Sequence, residues 1–505
     1  MRPLVSCAEA SRLDRDAREG SALPELVLME DAARGLWTLL RPIALRVRAE
    51  RQGPLVALCG SGGNAGDALA LLRIARFEGA EGLAAILGSE RLGEPASVFL
   101  GSIRALGLPV LSWEADRAAC LELMGRAALL VDGIAGTGLQ GPLRGPLAEL
   151  AAAAVAAGRP LASIDLPSGL RDGSVPGDIL LKAAWTLSIE PRKAALYAPA
   201  RRSACGEILA VEGVFPAGAA AGSACALIEE ADLPAWLPPL SPEAHKGSRG
   251  RLAAFAGSIG STGAACIASR AALAAGAGLV SLYASPEILA IISSRLESVM
   301  VKPEPAEPGS LDPGRWDALL AGPGWGRGPE RRAALAALLS SGLPALLDAD
   351  AIRLFAELRA DGCSARGPLI LTPHPGEYEA LTGLSPELAL ADPGPGLKAL
   401  AAELGAVIVL KSQVTWIAAP DGRLAVWEGM EAGLATAGSG DCLAGLAAGL
   451  LASLSAAGVG DAAFSAARAA VVAHGAAGRR LRAERGFFEA GQIAAEAAKL
   501  LGGAR

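Results

Sequence analysis

A chain of 505 residues has room for two or three domains with ample cores. The net charge of −6 comes from interspersed acids and bases with no basic run or arginine–aromatic cluster, which excludes nucleic-acid binding as a reading. Hydrophobic residues reach 52 % while aromatics stay at 4 %, the profile of an α/β protein whose helices and sheets meet through small side chains. The eight cysteines are scattered and never form C-x-x-C, so isolated buried thiols are expected rather than disulfides or zinc.

In chain order, helices are expected near residues 8–20 and 27–46. The N-terminus MRPLVSCAEASRLDRDAREG has early acids and no long apolar core, against a signal or transit peptide and for a cytoplasmic protein. The strand PLVALC then meets the loop GSGGNAGD and a helix, ALALLRIARFEG. Further strands read LAAILG, ALLVDGI and PLASIDL, each followed by a loop. A segment rich in Pro, Ala and Ser, 214–247, reads as linker and entry to a new domain. Beyond it RLAAFAG, LVSLYA, ALLAGPG, PALLDAD, PLILTPH and AVIVLKS again look like strands ending in loops. This alternation predicts mainly parallel sheets covered by helices, with ligands at the carboxyl ends of the strands. The expected boundaries are 1–217, a linker 218–245, and 246–505. The uncharged run Cys442–Gly460 approaches transmembrane length, but it follows a loop motif and reads as a buried helix, with no membrane role.

Only seven of the 46 basic residues are lysines and only three residues are histidines, so a lysine inside a motif carries information and acid–base work falls mainly to carboxylates. In the first block Asn64 and Asp67 follow the glycines, while VDGIAGTGL and SIDLPSGL supply Asp132, Asp165 and Ser168 at other strand ends. Two such acids repel unless a cation or donor stands between them, and this oxygen-rich set suits a hard cation. Together with LPELVLMEDAARGL these segments resemble the N-terminal domain of the NAD(P)HX epimerase family, over roughly residues 1–215. The resemblance implies a Rossmann-like three-layer domain in which Asn64, Asp132 and Ser168 hold K+. It also implies that Gly62, Gly63, Asn64, Ala65, Gly66, Asp67, Gly136, Thr137, Gly138, Leu139 and Asp165 contact the hydrated nicotinamide nucleotide. Asp165 is the candidate proton acceptor and donor; Lys193 reads either as its helper or as a surface lysine. Gly63, Ala65 and Ala68 stand where the family has Asn, Gly and Gly, and the extra Cβ atoms of the two alanines would crowd a backbone needing positive φ.

In the second block ATAGSGDCLAG places Asp441, one acid in an apolar run, behind a Gly-Ser-Gly loop that opens a helix. On this stretch alone Ser439 or Asp441 could equally be a helix cap. The ordered motifs AHKGSRGRLAAFAGS, LAGPGWG, LLDADAI, LTPHPGEYEAL, VLKSQVTWI and ATAGSGDCLAG resemble the ADP- or ATP-dependent NAD(P)HX dehydratases over about residues 230–505, implying a ribokinase-like α/β fold. By that likeness Lys411, Ser412, Gln413, Val414, Thr415, Gly438, Ser439 and Gly440 bind ADP or ATP with Mg2+. Ala277, Gly324, His374 and Asp441 contact the hydrate, with Asp441 as base. Asp348 and Asp350 either orient Mg2+ through water or cap the next helix. His474 reads as a satisfied helix histidine. Ala437 replaces a family glycine, and Ser412 the glycine after the lysine. The expected substrates are NADHX and NADPHX, the expected activity epimerisation plus dehydration, and the expected assembly a homo-oligomer. The alternative is a ribokinase-like small-alcohol kinase with a non-catalytic nucleotide-binding first domain.

Overall fold

The computed structural model describes residues 1–21, 24–216, 218–305, 307 and 310–504. Leu23, at the head of the LPELVLMEDAARGL segment, and Ala217, the expected end of the first domain, lie outside the described residues. The chain forms two compact units, one of Pro3–Cys225 with Leu390–Asp392, the other of Met1–Arg2, Ala226–Ala389 and Pro393–Arg505.

The first unit is built on a sheet of seven strands: β1 (Leu55–Cys59), β2 (Leu83–Leu87), β3 (Val110–Ser112), β4 (Leu129–Gly133), β5 (Leu161–Ile164), β6 (Trp185–Ile189) and β7 (Glu207–Val211). Their order is β3-β2-β1-β4-β5-β6-β7, with every neighbouring pair parallel. Such a sheet is covered on both faces, so its strands read as unbroken apolar runs. Along β1, Leu55, Ala57 and Cys59 enter one core cluster, and Val56 and Leu58 enter the other. The expected first two helices are present as Cys7–Ser21 and Glu25–Glu50. The strand order reverses between β1 and β4, which opens a crevice at their carboxyl ends.

In the second unit the nine strands that frame the site are β8 (Arg251–Phe255), β9 (Leu279–Ala284), β10 (Met300–Pro303), β11 (Ala318–Ala321), β12 (Ala345–Leu347), β13 (Leu369–Leu371), β14 (Ala406–Leu410), β15 (Thr415–Ala418) and β16 (Leu424–Trp427). They run β10-β9-β8-β11-β12-β13-β14-β15-β16, parallel as far as β14 and antiparallel for the last two pairings. The KSQV stretch is therefore the turn of the β14–β15 hairpin. The apolar run behind Asp441 is the helix Ser439–Ala456, buried over 78 % of its length. It crosses the helix Thr262–Ala274 so closely that a Cβ on Gly445 would lie 2.1 Å from the Ala268 carbonyl oxygen, and one on Gly449 would lie 2.3 Å from that of Ala272. Neither backbone can give way, so Gly449→Ala is expected to destabilise this unit by about 1–3 kcal/mol. A denaturant titration showing wild-type stability would refute the tightness of this crossing.

Candidate active sites

At the switch point of the first sheet, Gly62 caps the helix Gly63–Phe77, which carries Asn64, Ala65, Gly66 and Asp67. Gly63, Ala65 and Ala68 are thus helical, and none has the positive φ that would penalise a Cβ. Ala65 and Ala68 are fully buried in the core behind the loop, and Gly66 packs against Met29. The expected crowding is absent for that reason.

A small cavity of about 140 Å3 lies above this helix end. Gly63, Asn64, Asp67, Thr137 and Asp165 line it, as do Asp14, Glu25, Met29 and Lys193. Asp165 follows β5 with φ 63°, a conformation that costs a non-glycine residue about 1–3 kcal/mol and marks a site held by its surroundings. Two groups hold it: the Lys193 ammonium forms a buried ion pair with its Oδ1, and the Ile189 amide donates to the same oxygen at 3.1 Å. Lys193 is 3 % exposed, so the surface-lysine reading is wrong; its ammonium also donates to the Ile189 carbonyl at 2.7 Å. Burial, then the charges of Asp165, Asp14 and Glu25, push the Asp67 carboxyl up to about 8, with Lys193 pulling the other way. Asp67 therefore keeps its proton at neutral pH beside the Asp165–Lys193 pair.

Asp132 and Ser168 lie behind the cavity with no exposed surface. Asp132 accepts from Ser163 Oγ and the Ser168 amide, each at 2.8 Å, from the Ser168 hydroxyl, and from the Ile134 amide at 3.2 Å. Asn64 Nδ2 donates to the Ile164 carbonyl at 2.9 Å, while its Oδ1 stands where a Cβ on Gly136 would be only 2.2 Å away. The Gly136 backbone therefore passes directly beneath this carboxamide. Gly138 is exposed and Leu139 packs against a core cluster; neither lines the cavity.

In the second unit a cleft of about 620 Å3 is lined by His374, Lys411, Ser412, Gln413, Thr415, Ser439 and Gly440, which the sequence motifs had singled out. Trp427, Met430 and His474 also line it. Val414 points into the core with no exposed surface. The helix N-cap is Gly438 at φ 84°, so neither Ser439 nor Asp441 caps it: the glycine takes the left-handed turn and makes Ser439 the first helical residue. Ala437 is exposed and has no positive φ, so the missing glycine there costs no backbone strain. The free amides of this first turn suit an anion.

Lys411, at the end of β14, donates to Asp348 Oδ1 at 2.6 Å, and Thr372 Oγ1 donates to the same oxygen at 2.7 Å. Burial lowers the affinity of the Lys411 amine for its proton, but Asp348, Glu377 and Asp441 outweigh it and hold the ammonium above the usual lysine range. Burial first, and then the Asp348 charge, push Asp441 up to about 6 against the pull of Lys411. Asp348 thus anchors the lysine and tunes the candidate base; it caps nothing. Asp350 does not cap the following helix either, because its Oδ2 accepts the Gly326 amide at 2.9 Å. His374 is the N-cap of the helix Pro375–Thr382, its Nδ1 accepting from the Gly376 amide at 3.0 Å. Ala277 belongs to the hydrophobic core, and Gly324 sits after β11 with φ 57° against Ser261; neither lines this cleft.

A family profile described as NAD(P)H-hydrate dehydratase matches residues 252–499, and one described as YjeF-related protein N-terminus matches residues 25–195. The bifunctional NAD(P)H-hydrate repair enzyme Nnr of Moorella thermoacetica is 33 % identical over 96 % of this chain and 93 % of its own length. The chain belongs to the bifunctional NAD(P)H-hydrate repair enzyme family. Its Coxiella burnetii relative of the same name is 32 % identical over 88 % of each chain. Among solved structures, the ADP/ATP-dependent NAD(P)H-hydrate dehydratase of Bacillus subtilis, co-crystallised with ATP/Mg2+, is 27 % identical, covers 55 % of this chain and 97 % of its own, and has a TM-score of 0.47.

Within this repair-enzyme frame, the structure adds residues that the motifs did not mark. Asp14 comes from a charged amphipathic helix with nothing local to distinguish it. Glu25 and Met29 lie in the LPELVLMEDAARGL segment, which did carry a signal. His474 looked like a buried helix histidine, which it is, but it also forms part of the cleft wall.

Proposed function

We propose that the chain repairs hydrated NADH and NADPH, with the first unit interconverting the R and S hydrates and the second dehydrating the S hydrate with ADP or ATP. The observation that carries the reading is the meeting of Lys411, Asp348 and Asp441 at the amide-rich start of the Ser439 helix. There the C6 hydroxyl would attack the terminal phosphorus while Asp441 takes its proton and the helix amides face the phosphoryl charge. The nitrogen lone pair of the ring then expels phosphate, and loss of the C5 proton restores the dihydropyridine. Lys411, with Thr415 in the hairpin, would hold nucleotide phosphates. Among the described residues no group of three His, Cys, Asp or Glu side chains is placed to hold a metal. Mg2+ would arrive on the nucleotide phosphates. A cytoplasmic location belongs to the same reading.

In the first unit, epimerisation needs the hemiaminal ring to open at C6 and close on the other face. Asp165 would remove the hydroxyl proton, steadied by Lys193, and the neutral Asp67 carboxyl is a second proton source. Asn64, Asp132 and Ser168 are all hard oxygen donors that suit K+, and Asn64 Oδ1 has no donor among the described residues; Asp132 and Ser168, bonded to each other, would exchange those bonds for the ion. A bound K+ would offset negative charge near the nucleotide.

The test supplies purified protein with chemically prepared NADHX and either ADP or ATP, following return of the dihydronicotinamide absorbance. No return with either nucleotide would sink the proposal. Because Asp441 must be ionised to act, the dehydration rate should rise with pH through about 6 and then level off. Asp348→Asn removes the charge that raises Asp441, so the midpoint should fall below that of the wild type while the nucleotide KM rises as Lys411 loses its anchor. A midpoint that stays or rises would contradict this tuning.

A further inference from the structure

His474 stands in the buried middle of the helix Ala462–Arg485, 8 % exposed, and lines the cleft. Its Nε2 lies 3.1 Å from Ser439 Oγ and 3.1 Å from the Ser439 carbonyl oxygen. A carbonyl can only accept, so the nitrogen facing it carries the proton, and in a neutral imidazole the lone pair is then on Nδ1. Burial favours the neutral ring, bringing its pKa down to about 4, with the Ser439 hydrogen bond opposing and Lys411 assisting. Facing an N–H, Ser439 Oγ acts as acceptor on that side, and it has no acceptor for its own proton among the described residues. Ser439 lines the cleft beside Gly440 and Lys411.

Two glycines bring the helix into close contact here. A Cβ on Gly475 would fall 2.2 Å from Trp427 Nε1, and one on Gly478 would fall 2.6 Å from Leu434. These two glycines let the helix press against the cleft wall, and His474 is the polar side chain on that face that meets the anion loop.

We propose that His474 is a positioning residue of the dehydratase centre: its Nε2–H fixes the first turn at Ser439 and turns the Ser439 hydroxyl proton toward the transferring phosphoryl group. The inference rests on the dehydratase reading and refines it. It predicts an effect on turnover more than on ground-state binding, since the hydroxyl would meet charge that grows in the transition state. A histidine that only filled space would be replaced without such a split.

The experiment compares full-length wild type, His474→Leu, His474→Gln, Ser439→Ala and the Ser439→Ala/His474→Leu double variant in the NADHX assay with whichever of ADP and ATP the wild type turns over faster. His474→Leu should lower kcat by about ten- to a hundredfold with little change in either KM. His474→Gln, which keeps an N–H donor at similar reach, should recover most of the loss. Ser439→Ala should lose about as much as His474→Leu, and the double variant no more than either, because both act through one hydrogen bond. A folded His474→Leu enzyme with wild-type kcat, or losses that multiply in the double variant, would overturn the proposal. Should His474→Leu fail to fold, Ser439→Ala decides alone: wild-type kcat there overturns it and a lowered kcat at unchanged KM supports it. Absence of wild-type turnover with both ADP and ATP would overturn the dehydratase reading itself, an outcome distinct from wild-type turnover with an indifferent His474.

Discussion

Asp441→Asn is expected to lower nucleotide-dependent dehydration by about 10²–10⁴-fold, the usual contribution of a general base. The substitution is close to isosteric and sits in the first turn of the Ser439 helix, whose amides and Gly438 turn it leaves in place. It also removes a negative charge that acts on the Lys411 ammonium. Nucleotide binding should therefore persist or tighten, which separates loss of the base from loss of the site. The two pH profiles should also differ. The wild-type rate rises through about pH 6 as Asp441 ionises, whereas the variant's residual rate should show no such step. Isothermal titration with the nucleotide and rate measurements on the S hydrate check the two halves. Dehydration that survives unchanged would mean that some other group takes the hydroxyl proton.

The parts of this arrangement legible in the sequence are those that end parallel strands. A strand buried on both faces is a short apolar run, and the polar residues at its end or just past it stand out, as Asp132, Asp165, Asp348, His374 and Lys411 do. What stayed hidden comes from packing between elements distant in the chain. Asp14 lies on a helix rich in charge, and only the fold places it beside Asp165 and Asp67. His474 is buried in a long apolar helix, and its contact with Ser439 spans 35 residues of sequence. Local cap chemistry also misled. Ser439 and Asp441 are good cap residues by type, but Gly438 reaches a left-handed φ without steric cost and sets the helix start one residue earlier. Similarly Asp350 looks like a cap, yet it holds the Gly326 amide across the strand ends.

The epimerase centre supports the second large prediction, because one oxygen of its key acid takes both holding contacts, from the Lys193 ammonium and the Ile189 amide. Asp165→Asn keeps an oxygen for the Lys193 ammonium and the Ile189 amide, and Asn tolerates the left-handed φ of 63° better than most residues. The unit should fold, yet use of the R hydrate should drop by about 10²–10⁴-fold toward the spontaneous rate of epimerisation. Repair of the S hydrate should continue, since Asp441 and Lys411 are untouched. Lys193→Met should behave differently. It strands the Asp165 carboxylate in a site where both partners are under a tenth exposed, and breaking a buried pair in this way costs about 3–5 kcal/mol. Epimerisation and the stability of the first unit should therefore fall together in Lys193→Met, while in Asp165→Asn stability should fall less, because the Lys193 ammonium keeps an amide oxygen and the Ile189 carbonyl as acceptors. Chromatographic separation of the two epimers, with initial rates on each and a thermal melt of each variant, tests both expectations. If Asp165→Asn abolished S-hydrate repair as well, the two activities would not reside in separate centres.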